Sequence, residues 1–120
     1  MMRDIKFVLE LWGVWSRHRY EMEYSTIAAG FKGLLPESSK LNCCTDSDAM
    51  IIDACVAKLK QKRPDEYELI EAYYIKGISK RKIAKKWLKD EKIIRIKLQL
   101  AEGFVDGCLA ILDVKLEMDN

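Results

Sequence analysis

Residues 76–97, KGISKRKIAKKWLKDEKIIRIK, constrain this chain more than any other stretch. Ten Lys or Arg stand there against Asp90 and Glu91, a local charge of +8 in a chain of net charge +2, which leaves −6 for the rest. A strongly basic segment inside a mildly acidic remainder is the electrostatic footprint of a phosphate-binding surface rather than of a generally adhesive one. Its apolar residues are spaced as two short helices with a break between them. Gly77 can take positive φ and end a preceding helix, and Ser79 can cap the next by accepting from its free backbone N–H groups. Ile83, Ala84 and Trp87 then share one face, with Ala84 small enough to let two helices cross closely. Leu88 and Lys89 form a turn, and Asp90 caps a second helix in which Ile94, Leu98, Ala101 and Val105 recur at i, i+4, i+7 and i+11.

This spacing predicts a helix-turn-helix over about residues 66–102. In the docking geometry of such units, the N-terminal part of the second helix enters the DNA major groove. Lys92, Arg95 and Lys97 are then placed to meet base edges or nearby phosphates, while Lys80, Arg81, Lys82 and Lys85 hold the backbone and set the register. Lys89, in the turn, completes the DNA-binding set. Two positions depart from the usual pattern. Leu88 stands where the backbone tends to positive φ and glycine is favoured, and Lys97 stands where an apolar core residue is common, so the core slides to Leu98. The competing reading is a solvated basic face on an ordinary helical hairpin.

At 120 residues the chain is expected to form a single domain over 1–120, and 49% apolar content suffices for a core. No apolar run approaches the ~20 residues of a membrane span. No basic N-terminal region leads into an apolar stretch with a cleavage site, so a cytoplasmic protein is expected. The four cysteines, Cys43, Cys44, Cys55 and Cys108, lack paired zinc-ligand spacing, and His18 is the lone histidine. No metal or other cofactor is expected.

No stretch alternates as a strand, and the predicted class is all-α, a compact helical domain with a long C-terminal helix. Residues 4–20 read as a first helix with two apolar stripes, Ile5/Val8/Leu9/Trp12/Trp15 and Phe7/Leu11/Val14. Gly13 within it predicts a close packing contact, since glycine there costs about 1 kcal/mol relative to alanine. Ser25 or Thr26 can cap a short helix through Phe31, and residues 32–45 read as a loop. A helix from Asp46 to the Lys60–Arg63 cations buries Met50, Ile51, Cys55, Val56 and Leu59, and Pro64 stops it. A support helix from Asp65 to Gly77 carries Leu69, Ile70, Tyr73 and Tyr74. The last helix runs from Glu91 towards Leu116, with Gly103 and Gly107 four apart and suited to a close helix–helix approach.

An enzyme is not expected. There is no glycine-rich phosphate loop with the required lysine. Asp46, Asp48 and Asp53 could suggest a two-metal site, but the first two sit at a helix start, where capping accounts for them.

Several stretches together carry a family resemblance: RDI at 3–5, WGVW at 12–15, IAAGFKGLLP at 27–36, CCTDSDAMIID at 43–53, AEG at 101–103 and LEMD at 116–119. Over nearly its full length the chain resembles the lambdoid phage late-gene antitermination proteins, the Q proteins, of the shorter type. The basic unit is also similar to the sigma-factor domain that reads the −35 promoter element, in YIKGISKRKIAKKW and a second helix ending at Ala101-Glu102. The resemblance implies a factor in the bacterial host cytoplasm. It implies that the factor binds double-stranded DNA at a late promoter, loads onto RNA polymerase paused nearby, with or without sigma, and carries it through terminators. The Trp-bearing first helix and the acidic remainder are the expected polymerase-contacting surface. Two other readings stand beside this one: a conventional helix-turn-helix repressor or activator, and a phage interaction or assembly module whose basic helix meets an acidic partner. Oligomeric state is left open.

Overall fold

Thr45 marks where the second helix begins, because its hydroxyl accepts the backbone N–H of Asp48 at 3.2 Å and so satisfies a donor the first turn leaves free. This and the local signals below come from a computed structural model that describes residues 4–29, 43–112 and 115–119. The helices are α1 (Ile5–Ala29), α2 (Asp46–Lys62), α3 (Pro64–Ile70), α4 (Lys80–Trp87) and α5 (Glu91–Leu112). A π-helical segment, Glu71–Ile75, extends α3, and a 3-10 turn, Glu117–Asp119, follows α5. The fold is all-α, with no strand among the described residues.

The first helix runs further than its spacing suggested. It continues to Ala29 and absorbs Ser25 and Thr26, so neither starts a separate helix. No glycine or proline interrupts residues 20–29, and the first breaker is Gly30. The expected end of the short helix at Phe31 and the loop over residues 32–42 lie outside the described residues.

Helix α2 ends where Pro64 dictates, and Pro64 opens α3 at its first turn, where a missing N–H costs nothing. Its buried face is rotated from the expected one. Ala49, Ile52, Cys55, Val56 and Leu59 are buried, while Met50 is 70% exposed and Ile51 only half-buried. The row 49, 52, 56, 59 follows the helical repeat, and the adjacent Met50-Ile51-Ile52 run could not by itself show which member faces inward.

Helix α5 packs against α3, α2, α4 and α1 and is the central strut. Ile94, Leu98, Ala101 and Val105 are buried as their spacing required, with Leu109 extending the row. The helix is described as far as Leu112 and does not reach Leu116, yet Leu116 is itself fully buried. Asp48 explains that return. Its buried carboxylate accepts the backbone N–H groups of Glu117 at 2.8 Å and Met118 at 3.1 Å. It therefore satisfies orphan donors of the 3-10 turn some seventy residues away rather than capping its own helix.

Both tryptophans of α1 belong to the core. Trp12 and Trp15 are buried, and their ring N–H groups donate to Asp53 at 2.6 Å and Asp46 at 2.8 Å. Asp46 and Asp53 of α2 therefore tie α1 to α2 at the edge of the core. Leu11 is buried as well and Val14 is half-buried, so of Phe7, Leu11 and Val14 Phe7 is the most open to solvent.

Candidate nucleic-acid interface

The basic segment folds locally as its sequence dictates. The support helix closes at Gly77, whose φ of 71° lets Ile78 N–H return to the carbonyl of Ala72 at 2.9 Å. Ser79 then caps α4, its hydroxyl accepting Lys82 N–H at 3.2 Å. Ile83 and Ala84 are buried against α5, and Trp87 is half-buried beside them.

Leu88 ends α4 in the left-handed region, at φ 56° and ψ 45°. Its own N–H reaches Lys85 O at 3.3 Å, and Lys89 N–H reaches Ala84 O at 2.9 Å. These are the paired bonds of a Schellman ending, with leucine where glycine is usual. The Leu88 side chain is 91% exposed, so nothing packs it there in return. Asp90 opens α5 by accepting Lys92 N–H at 2.8 Å. Three residues, Leu88 to Asp90, thus separate the two helices.

The expected contact residues fall on three surfaces. Lys82 and Lys85 lie on the side of α4 away from its buried residues, flanked by the exposed Arg81 and Lys86. Lys86 was not among the expected residues, although it is exposed as they are. Lys89 is exposed in the turn, and Lys92 and Arg95 are exposed on the first turns of α5. Lys80 and Lys97 differ from these, since both are only half exposed. The Lys80 ammonium lies 5.3 Å from the centre of the Tyr73 ring, a cation–π distance. Arg95 reaches back to Glu91 at 3.8 Å, an exposed i,i+4 pair of small energetic weight.

Beneath this surface, Tyr74 and Glu102 bind α5 to the π segment. The buried Tyr74 hydroxyl donates to the Glu102 carboxylate at 2.5 Å. Burial, reinforced by that hydrogen bond, pushes the tyrosine pKa well above its usual range. On the other side, α1 passes so closely that a Cβ on Gly13 would collide with the Tyr74 carbonyl. Arg17 of α1 donates from Nε to the Ile75 carbonyl at 2.8 Å and so covers the end of the π segment. No local signal marks Glu102 as a buried anchor, because its partner lies 28 residues away.

Among the described residues no group of three or more His, Cys, Asp or Glu is placed to hold a metal ion. Burial pushes the Cys44 thiol up to about 12 and raises that of Cys43, the opposite of an activated thiolate. Nor is any helix among the described residues long and apolar enough to cross a membrane.

The chain matches the family model for phage antitermination protein Q over residues 2–117. It is 55% identical to the probable antitermination protein Q of Acyrthosiphon pisum secondary endosymbiont phage 1, covering 99% of this chain and 82% of that one. It is 45% identical to the prophage antitermination protein Q homolog QuuD of Escherichia coli K12, over 98% of this chain and 94% of the relative. The antitermination protein Q of Escherichia phage 933W is 46% identical over 99% of this chain and 84% of its own length. No solved structure matches significantly. With a family model spanning almost every residue and relatives aligned nearly end to end, the chain belongs to the phage antitermination protein Q family.

Proposed function

We propose that this chain is a phage transcription antitermination factor. It binds duplex DNA at a late promoter through α4 and α5, acting as a helix-turn-helix, and then engages bacterial RNA polymerase so that elongation passes terminators. The observation that carries the DNA step is the gathering of cations on the outer side of α4, the turn and the first turns of α5, above a rigid buried base. Phosphate contacts from Arg81, Lys82, Lys85 and Lys89 would set orientation, leaving the exposed start of α5 to meet base edges. The names of the relatives support the antitermination step.

Trp12, Trp15 and Leu11 are buried, so among the described side chains of α1 Phe7 is the exposed aromatic open to a polymerase contact. The test is transcription with purified polymerase on a late-promoter template carrying a terminator. Read-through that requires both the promoter-proximal site and the protein is the expected result. Site binding with unchanged termination would replace this reading by a conventional repressor or activator.

A further inference from the structure

Helix α5 is apolar on two sides. Its buried row is Ile94, Leu98, Ala101, Val105 and Leu109. On the opposite side Ile93, Ile96 and Leu100, at i, i+3 and i+7, face solvent and are 44%, 49% and 58% exposed. Ile96 lies almost diametrically across the helix from the buried row, whereas Arg95 lies well round to one flank and is tied to Glu91. The residue directly opposite the buried row near the start of α5 is therefore an isoleucine.

Three occupants could cover this stripe: a second copy, another protein, or DNA. The charge around it decides between them. Lys92, Arg95 and Lys97 interleave with the two isoleucines along α5, and the exposed Lys89 stands in the turn just before it. An apolar protein interface would have to strip water from those cations, and a second copy would bring the same charges. A major groove instead offers phosphates to the cations along its walls. On its floor, the thymine C5-methyl is the apolar group among the base edges. Ile93 to Leu100 also spans roughly 10 Å along the axis, comparable to the width of that groove, about 12 Å. β-branched side chains are stiff and lose little rotamer freedom on docking.

We propose that Ile93 and Ile96 are specificity-determining residues that read thymine C5-methyl groups in the major groove, with Lys92 and Arg95 holding the adjacent phosphates or base edges. This rests on the DNA-binding reading above and adds the base that the site prefers.

Deoxyuridine tests it, because replacing thymine by uracil removes the methyl and keeps every hydrogen-bonding group. A preferred duplex is first selected from a randomised duplex pool with the full chain. Each thymine in it is then replaced singly by deoxyuridine. The expected result is one or two positions at which the wild-type protein binds about three- to tenfold more weakly, the scale of one buried methyl. Ile96→Ala or Ile93→Ala should erase that difference at one such position, while affinity for a random duplex changes by less than about twofold. Both side chains are solvent-exposed, and an unchanged urea midpoint checks that the variants fold; Ile96→Val, which keeps part of the contact, should retain part of the discrimination. A selected duplex to which the protein is methyl-blind everywhere overturns the inference and leaves specific DNA binding standing. Failure to select any duplex removes the DNA-binding reading and this one with it. A DNA-free dimer that Ile96→Asp converts to monomer would assign the stripe to a second copy and overturn the proposal.

Discussion

Gly13 and Gly103 sit in equally regular helix, yet alanine should have opposite effects at the two. At Gly13 the helix lies against the Tyr74 carbonyl, and a Cβ there meets backbone rather than a side chain that can turn aside. Gly13→Ala is expected to destabilise by about 2–3 kcal/mol, the upper range of overpacking. At Gly103 and Gly107 nothing lies within 4 Å of an added Cβ, so the expected close helix–helix approach is absent there. Alanine at either should stabilise by up to about 1 kcal/mol through helix propensity alone. Urea midpoints at constant m would show both signs. Leu88 makes the complementary case. Its left-handed backbone costs roughly 1–2 kcal/mol for a residue with a Cβ, and its exposed side chain offsets little of that. Leu88→Gly should raise stability by about 1 kcal/mol, and Leu88→Val should lower it, since a β-branched residue is worse still at positive φ. Sequence alone located both special positions, Gly13 as a glycine inside a helical pattern and Leu88 as a non-glycine in a turn. It did not distinguish Gly13 from Gly103, because only the neighbouring element decides whether a glycine is crowded.

Elements in this chain are held by polar ties between distant segments as much as by apolar rows. Asp48 holds the C-terminal turn, Asp46 and Asp53 hold the α1 tryptophans, and Glu102 holds Tyr74. The helices around the basic segment were legible because caps and breakers are local: Pro64, Gly77, Ser79 and Asp90 each act within a few residues. The ties were not, since an aspartate at a helix start looks like a cap whether or not its oxygen turns inward. The same limit applies to the rotated face of α2 and to the π segment, on which α1, Arg17 and Glu102 converge and which has no compositional mark. The Tyr74–Glu102 tie predicts a pH effect. The folded-state pKa of Tyr74 is raised by burial first and by the Glu102 hydrogen bond second. The unfolded tyrosine ionises near pH 10. Below that pH its contribution to stability is fully present, and it falls away as pH rises further, because only the unfolded chain releases the proton readily. Wild-type protein should therefore lose stability above about pH 10 more steeply than Tyr74→Phe. At neutral pH the variant should be less stable by about 1–3 kcal/mol, since it leaves a buried carboxylate without its donor. Parallel stability curves for the two proteins between pH 9 and 11 would show that the tie does not hold the tyrosine proton.

Across the whole molecule, charge is divided by position along the chain, and the division puts the cations on one exposed unit while the acids nearest the core are consumed internally. Asp46, Asp48, Asp53, Glu66 and Glu102 each accept a hydrogen bond from a neighbouring element or turn. The basic unit thus keeps its field, and its placement could be read from composition because ten like charges in one segment cannot be buried. Which of them face a ligand could not, since the half-burial of Lys80 against Tyr73 and of Lys97 on the flank of α5 depends on tertiary neighbours. This difference in placement separates two mutational signatures. In the proposed complex, Lys82 and Lys85, exposed on the outer side of α4, meet phosphate. Lys82→Ala or Lys85→Ala should weaken binding to selected and random duplexes alike, and each should reduce the slope of log K against log salt by about 0.9 for every phosphate it no longer neutralises. In the proposed complex, Arg95, exposed on the first turns of α5, is the cation expected to meet a base edge. Arg95→Ala should cost about 1–3 kcal/mol on a selected duplex and little on a random one, relaxing sequence preference. Titrations of the three variants against both duplexes at two or more salt concentrations measure every quantity involved. If Arg95→Ala and Lys82→Ala change selected and random binding to the same extent, Arg95 is a phosphate contact like Lys82, and any base reading by α5 falls to Ile93 and Ile96.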